Sequence, residues 1–110
     1  MIEQRIISFL GLAIRAGKVC KGESLCEKAI RDGLAELVIV AGDASANTKK
    51  RFSDKCKFYE TEYREFSTKE QLGKLTRSEN RAVLTVNDKG MTNKLLEMID
   101  SELNGGAELG

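Results

Sequence analysis

Lys18, Lys21, Ser24 and Lys28 crowd around Gly22 in the stretch from Gly17 to Arg31. Amines and a hydroxyl at that spacing can hold an anion. The stretch reads as a short extended piece turning through Gly22 into a helix. A helix start carries free backbone N–H groups and the positive end of the dipole, which suits a phosphate. A solvated helix face accounts for the same lysines, since charge runs usually face water. A second polar group, Arg77, Ser78, Asn80 and Arg81, lies in the loop 76–81. A third, Lys49, Lys50, Arg51, Lys55 and Lys57, falls in one helical segment, where a solvated face explains it equally well.

Other chemistries are poorly served. Without histidine, acid–base work would fall to carboxylates, lysines, tyrosines or cysteines, and no paired constellation of these is evident. The three cysteines, Cys20, Cys26 and Cys56, have no CxxC spacing. They are too few for an all-cysteine zinc site and read as reduced, buried thiols. Gly11 to Val19 resembles a phosphate-binding P-loop, but five residues separate its glycines and valine follows the lysine. The reading is therefore no enzyme, no cofactor and no metal.

These groups must be positioned by a chain of 110 residues, enough for one core. Helical spacing of Ile2, Ile6, Phe9, Leu10, Ala13 and Ile14 predicts a first helix that ends before Gly17. A short strand at 18–21 is charged and belongs at a sheet edge. The second helix, ending at Gly33, carries Leu25, Cys26, Ala29 and Ile30 on one face, with Leu25 read as core. The apolar run 37–41 predicts a central strand. Asp43 or Ser45 can cap the third helix, on which Thr48, Phe52, Cys56 and Tyr59 share a face. Tyr63 and Phe66 bracket a strand. Ser67 or Thr68 caps a fourth helix with Leu72 and Leu75 inward, and Ser67 with Glu70 fits a capping box. After the loop come an apolar strand, 82–86, and a last helix capped by Asp88 with Met91, Leu95, Met98 and Ile99. The alternation of elements predicts an α/β fold, a three-layer α-β-α sandwich around a mixed sheet of about four strands. Residues 1–103 form the one domain, and 104–110 a flexible acidic tail.

Net charge is +1, unevenly spread. Residues 1–60 hold 11 Lys and Arg against 8 Asp and Glu, whereas 61–110 hold 7 against 9. Nucleic acid would thus be met by a local patch rather than a global field. At 5% aromatic residues, base-stacking platforms should not dominate. No membrane-length apolar run or signal-peptide core is present, which predicts a cytoplasmic protein.

Several blocks together carry a resemblance: Gly11-Leu-Ala-x-Arg-Ala-Gly-Lys18, Gly22-Glu23, Lys28-Ala-Ile30, Leu37-Val-Ile-Val-Ala-Gly-Asp-Ala-Ser45-x-Asn-Thr-Lys49 and Asp54-Lys-Cys56. Over roughly 6–99 the chain resembles the kink-turn RNA-binding ribosomal proteins of the L-seven-Ae type, within them the bacterial YlxQ-like branch. The resemblance implies the same sandwich. It also implies a second helix whose N-terminus enters the groove of a kinked RNA beside sheared G·A pairs, and a later loop that covers flipped-out bases. Gly22 and Lys28 match the helix motif, while Ser24 and Leu25 stand where the family carries Asn and Glu. The implied RNA-contacting residues are Lys18, Lys21, Gly22, Ser24 and Lys28, with Arg77, Ser78, Asn80 and Arg81 closing over the kink and Arg15 widening the electropositive edge. The implied partner is a structured RNA, ribosomal or another kink-turn RNA, with the ribosome itself a candidate; no membrane partner is expected, and the free protein is expected as a monomer. The competing reading is a protein-interaction module that kept the fold and lost RNA specificity.

Overall fold

A computed structural model describes residues 2–103, with the side chains of Ile2 and Leu103 excepted. The expected inward Ile2 and the expected tail 104–110 therefore lie outside the described residues. The elements alternate as α1 (Ile2–Arg15), β1 (Val19–Lys21), α2 (Glu23–Arg31), β2 (Leu37–Val40), α3 (Ala46–Tyr59), β3 (Glu62–Glu65), α4 (Lys69–Leu75), β4 (Val83–Val86) and α5 (Lys89–Leu103). The sheet order is β1-β4-β2-β3. β4 runs antiparallel to both β1 and β2, whereas β2 and β3 are parallel, so the sheet is mixed. The charged β1 takes an edge, as its composition requires.

β2 and β4 are buried along their whole length because helices cover both sheet faces. α2 and α3 pack together on one side, and α1 packs with α4 and α5 on the other. Ile6, Leu10 and Ala13 of α1, Phe52 of α3, and Leu95 and Ile99 of α5 are wholly buried. Each large side chain among them contributes about 1.5–3 kcal/mol by leaving water.

One consequence of this topology governs the site. The register sets Lys21 opposite Leu84, and Val40 opposite both Val83 and Glu65. The C-terminal ends of β1, β2 and β3 and the N-terminal end of β4 therefore share one edge of the sandwich. The starts of α2, α3 and α4 and the loop 76–81 gather there.

The structure departs from the sequence reading at four places. Leu25 is 58% exposed rather than core. The buried face of α2 is Cys26, Ala29 and Ile30, and Leu25 falls about 90° from the centre of that stripe, beyond the Ala29 margin. Tyr59 lies 39% exposed at the end of α3, its ring edge-on to an exposed Phe58. The cap of α4 is Thr68, which accepts from the Gln71 N–H at 3.1 Å, so Ser67 and Glu70 form no capping box. Ser67 instead takes a left-handed φ of 66° that turns its carbonyl to the Gly42 N–H at 2.8 Å. Cys20, finally, is only half-buried, unlike Cys26 and Cys56.

Candidate nucleic-acid interface

The first turn of any helix leaves N–H groups without intrahelical partners. Three helices settle this with side chains. Ser45 accepts from the Thr48 N–H at 3.1 Å, and Asp88 from the Met91 N–H at 2.8 Å. α4 is capped twice, by Thr68 and by Asp43, whose carboxylate takes the Lys69 N–H at 2.8 Å. α2 is different. Its N-cap is Gly22, which offers no side chain, at φ 90° and ψ 155°. That region of backbone space is essentially closed to residues with a Cβ. The opening turn of α2 thus presents its N–H groups and its dipole to whatever stands outside.

The loop 76–81 is rigidly built beside it. α4 ends in a Schellman turn: Ser78 N–H reaches the Gly73 carbonyl at 2.8 Å, Arg77 N–H reaches that of Lys74 at 3.4 Å, and Arg77 is left-handed at φ 61°. Gly73 is buried, and a Cβ there would stand 2.6 Å from the Glu79 carbonyl, so only glycine fits under the loop. Arg81 N–H bonds the Lys69 carbonyl at 3.0 Å, and the Arg81 Nε donates to Thr76 Oγ1 at 3.2 Å. That bond carries the guanidinium to Gly22: Arg81 Nη1 lies 3.2 Å from where a Gly22 Cβ would be. One arginine therefore joins the loop to the helix entrance.

Around this junction Lys21, Ser24, Arg77 and Asn80 are exposed. Ser78 is half-buried and spends its hydroxyl proton on the Asn80 carbonyl at 3.1 Å, which shapes the loop and leaves an oxygen to accept. Lys28 sits more than one turn along α2, paired with Asp32 at 2.7 Å. The lysine holds the Asp32 carboxyl below its usual range, yet both groups are exposed and such a pair is readily exchanged for another anion. Lys18 leaves the cluster. It precedes β1, its carbonyl accepting from Asn87 at 2.7 Å beyond the far end of β4, and the length of the strand separates it from Gly22. Arg15, at the end of α1, shares that removal.

The inner face of α2 is fixed by Cys26, whose single thiol proton is shared between the carbonyls of Cys20 at 3.5 Å and Val83 at 3.8 Å. Burial pushes this thiol up to about 12, so it is a neutral packing group. Among the described residues no group of His, Cys, Asp and Glu could hold a metal ion, and no helix is long and apolar enough to cross a membrane.

Two features of the site escaped sequence reasoning. One is the outward Leu25, which lies four residues before the buried Ala29 and so shares its spacing with the core stripe. The other is Arg51 of α3, which binds the carboxylates of Glu23 and Glu27 on α2. No local signal announces a contact between residues 28 apart.

The model of the ribosomal protein L7Ae/L30e/S12e/Gadd45 family matches residues 4–96. The chain is 44% identical over 91 residues to the RNA-binding protein YlxQ of Bacillus subtilis (strain 168), covering 83% of this chain and 91% of that one. It is 37% identical over 97 residues to the RNA-binding protein YlxQ of Enterococcus faecium, covering 88% and 93%. Among solved structures, a protein of unknown function from Bacillus halodurans C superposes with a TM-score of 0.83 at 36% identity, covering 87% of this chain and 97% of that one. The Giardia lamblia 15.5kD RNA binding protein superposes with a TM-score of 0.72 at 18% identity, covering 90% and 85%, a likeness of fold.

Proposed function

The chain belongs to the ribosomal protein L7Ae/L30e/S12e/Gadd45 family, and on that premise we propose that it is a non-catalytic, cytoplasmic RNA-binding protein, monomeric when free. It recognises kinked, kink-turn-like RNA of the ribosome or the translation machinery through the N-terminus of α2 and the loop 76–81. The observation that carries this reading is the junction of an uncapped helix start with the Arg81 guanidinium over Gly22. YlxQ relatives described as RNA-binding support it.

In this reading Gly22 lets a phosphate approach the first-turn N–H groups of α2. Arg81 and Lys21 neutralise the backbone on either side, and Arg77 and Asn80 reach over the unpaired bases, where an arginine plane can stack. Ser24 supplies one hydroxyl where an amide would make two contacts. Leu25 sits outward beside it and offers an apolar contact to a base or ribose. Lys28 exchanges Asp32 for phosphate.

The test is a panel of RNA duplexes with and without tandem G·A pairs, titrated across salt. Preference for the kinked member is expected, with Lys28→Ala lowering the magnitude of the salt slope by about 0.9 if it meets one phosphate. Equal binding to all members, or to none, would defeat kink recognition. The exposed Phe58, 79% accessible, favours the protein-interaction reading. A cellular partner retained equally with and without RNase would uphold that alternative.

A further inference from the structure

The entrance of α2 contains a contradiction if it binds phosphate. Glu23 lies in its first turn and Glu27 one turn further on, so the carboxylates stack along one flank of the helix. A carboxylate in the first turn suits the helix dipole, but it repels an approaching phosphate and competes for the same N–H groups. Both carboxylates are accounted for by one residue. Arg51 of α3 directs Nη2 to Glu23 Oε1 and Nε to Glu27 Oε2, the latter at 3.3 Å. Its guanidinium is itself supported 5.2 Å from the centre of the Phe52 ring, whose side chain is wholly buried.

The geometry points to Arg51 as a positioning residue for the RNA interface. It holds Glu23 and Glu27 against the α3 flank of α2 and cancels part of their charge. Ser24, Lys28 and the helix start are thereby left as the surface a phosphate meets. On a helical wheel Glu23 and Glu27 fall on the side of Ile30, toward α3, while Leu25 falls on the opposite flank. The acidic and the RNA-facing sides of α2 are therefore distinct only while the carboxylates stay docked. Lysine would not replace this arginine fully, since one ammonium lacks the planar fork that serves two carboxylates. The assignment rests on the proposed RNA reading.

The test is a cycle of full-length variants titrated with two RNAs of equal length, a duplex interrupted by a kink with tandem G·A pairs and an uninterrupted duplex. Arg51→Met should weaken binding of the kinked RNA by about tenfold at low salt, and by less as salt screens the exposed carboxylates. Adding Glu23→Gln and Glu27→Gln to Arg51→Met should restore wild-type affinity, because the shield is superfluous once there is nothing to mask. Arg51→Lys should fall between. Thermal unfolding of each variant separates affinity from folding. A triple variant as weak as Arg51→Met alone would overturn the assignment, as would an Arg51→Met protein that binds like wild type. A wild-type protein that binds neither RNA would instead strike down the RNA reading itself, before any variant is compared.

Discussion

Two helices begin on the same edge of the sheet and treat their first turns in opposite ways. α4 closes its N-terminus twice, with Thr68 and with Asp43 borrowed from the loop after β2. α2 begins at a glycine whose backbone excludes any capping side chain and whose neighbour is an arginine. The first arrangement maximises helix stability. The second forgoes about a few tenths of a kcal/mol, the usual cost of a glycine in place of a capping side chain, and leaves the N–H groups available to an anion. Their ends invert the contrast. α2 finishes on Gly33, left-handed at φ 76° with open space around it. α4 finishes on Arg77 in the same conformation, where a side chain costs about 1 kcal/mol. Glu60 closes α3 at φ 57° in the same way, so a strained cap alone does not mark a site. What distinguishes Arg77 is that its loop is bolted to α4 and faces the α2 entrance.

The contrast can be broken most forcefully at Gly22. Gly22→Ala forces a Cβ into backbone space reserved for glycine and against Arg81, so urea unfolding should show a loss of about 3 kcal/mol together with lost RNA binding. Arg77→Gly should do the reverse in stability, raising it by about 1 kcal/mol while lowering RNA affinity; unchanged affinity would mean that Arg77 is only a structural cap. Thr68→Ala removes a cap at the closed helix. It should cost about 1 kcal/mol and leave RNA titrations unchanged. Leu25→Ser should alter stability by less than about 0.5 kcal/mol, as expected for a surface site, yet weaken RNA binding.

The smallest effect belongs to a pair remote from both helix starts. Arg64 holds Asp100 through two bonds, at 2.7 and 3.0 Å, and keeps its carboxyl below the ordinary value. A depressed folded value means that the stabilisation is present above the unfolded aspartate range and is lost as pH falls through the folded one. Partial exposure limits it to a few tenths of a kcal/mol. Acid unfolding curves of wild type and Asp100→Asn should therefore converge at low pH.

The order of elements was legible because each has a local cause. Apolar runs at 37–41 and 82–86 could only be covered strands, and Gly17 and Gly33 end helices through the conformation they permit. The α2 entrance and the 76–81 loop were legible for the same reason. Whatever depended on one element meeting another was not. Lys18 counted as a neighbour of Gly22 in the chain, but a strand runs between them. Ser67 looked like a cap until the Gly42 N–H claimed its carbonyl. The docking of Glu23 on Arg51 follows from how α2 and α3 lie together, which no periodicity encodes.

The thiol of Cys26, set between two carbonyls beneath α2, has a consequence for measurement. Cys26 and Cys56 are both buried and both pushed up to about 12 by that burial, so neither reacts while its helix lies on the sheet. Stabilisation from these neutral thiols is complete below the unfolded cysteine range and declines only as pH rises toward 12. At neutral pH their labelling rates become clocks for local opening, one on each of the two helices that Arg51 joins. Equal rates would show α2 and α3 lifting as one cooperative unit. A faster Cys26 would show α2 opening alone.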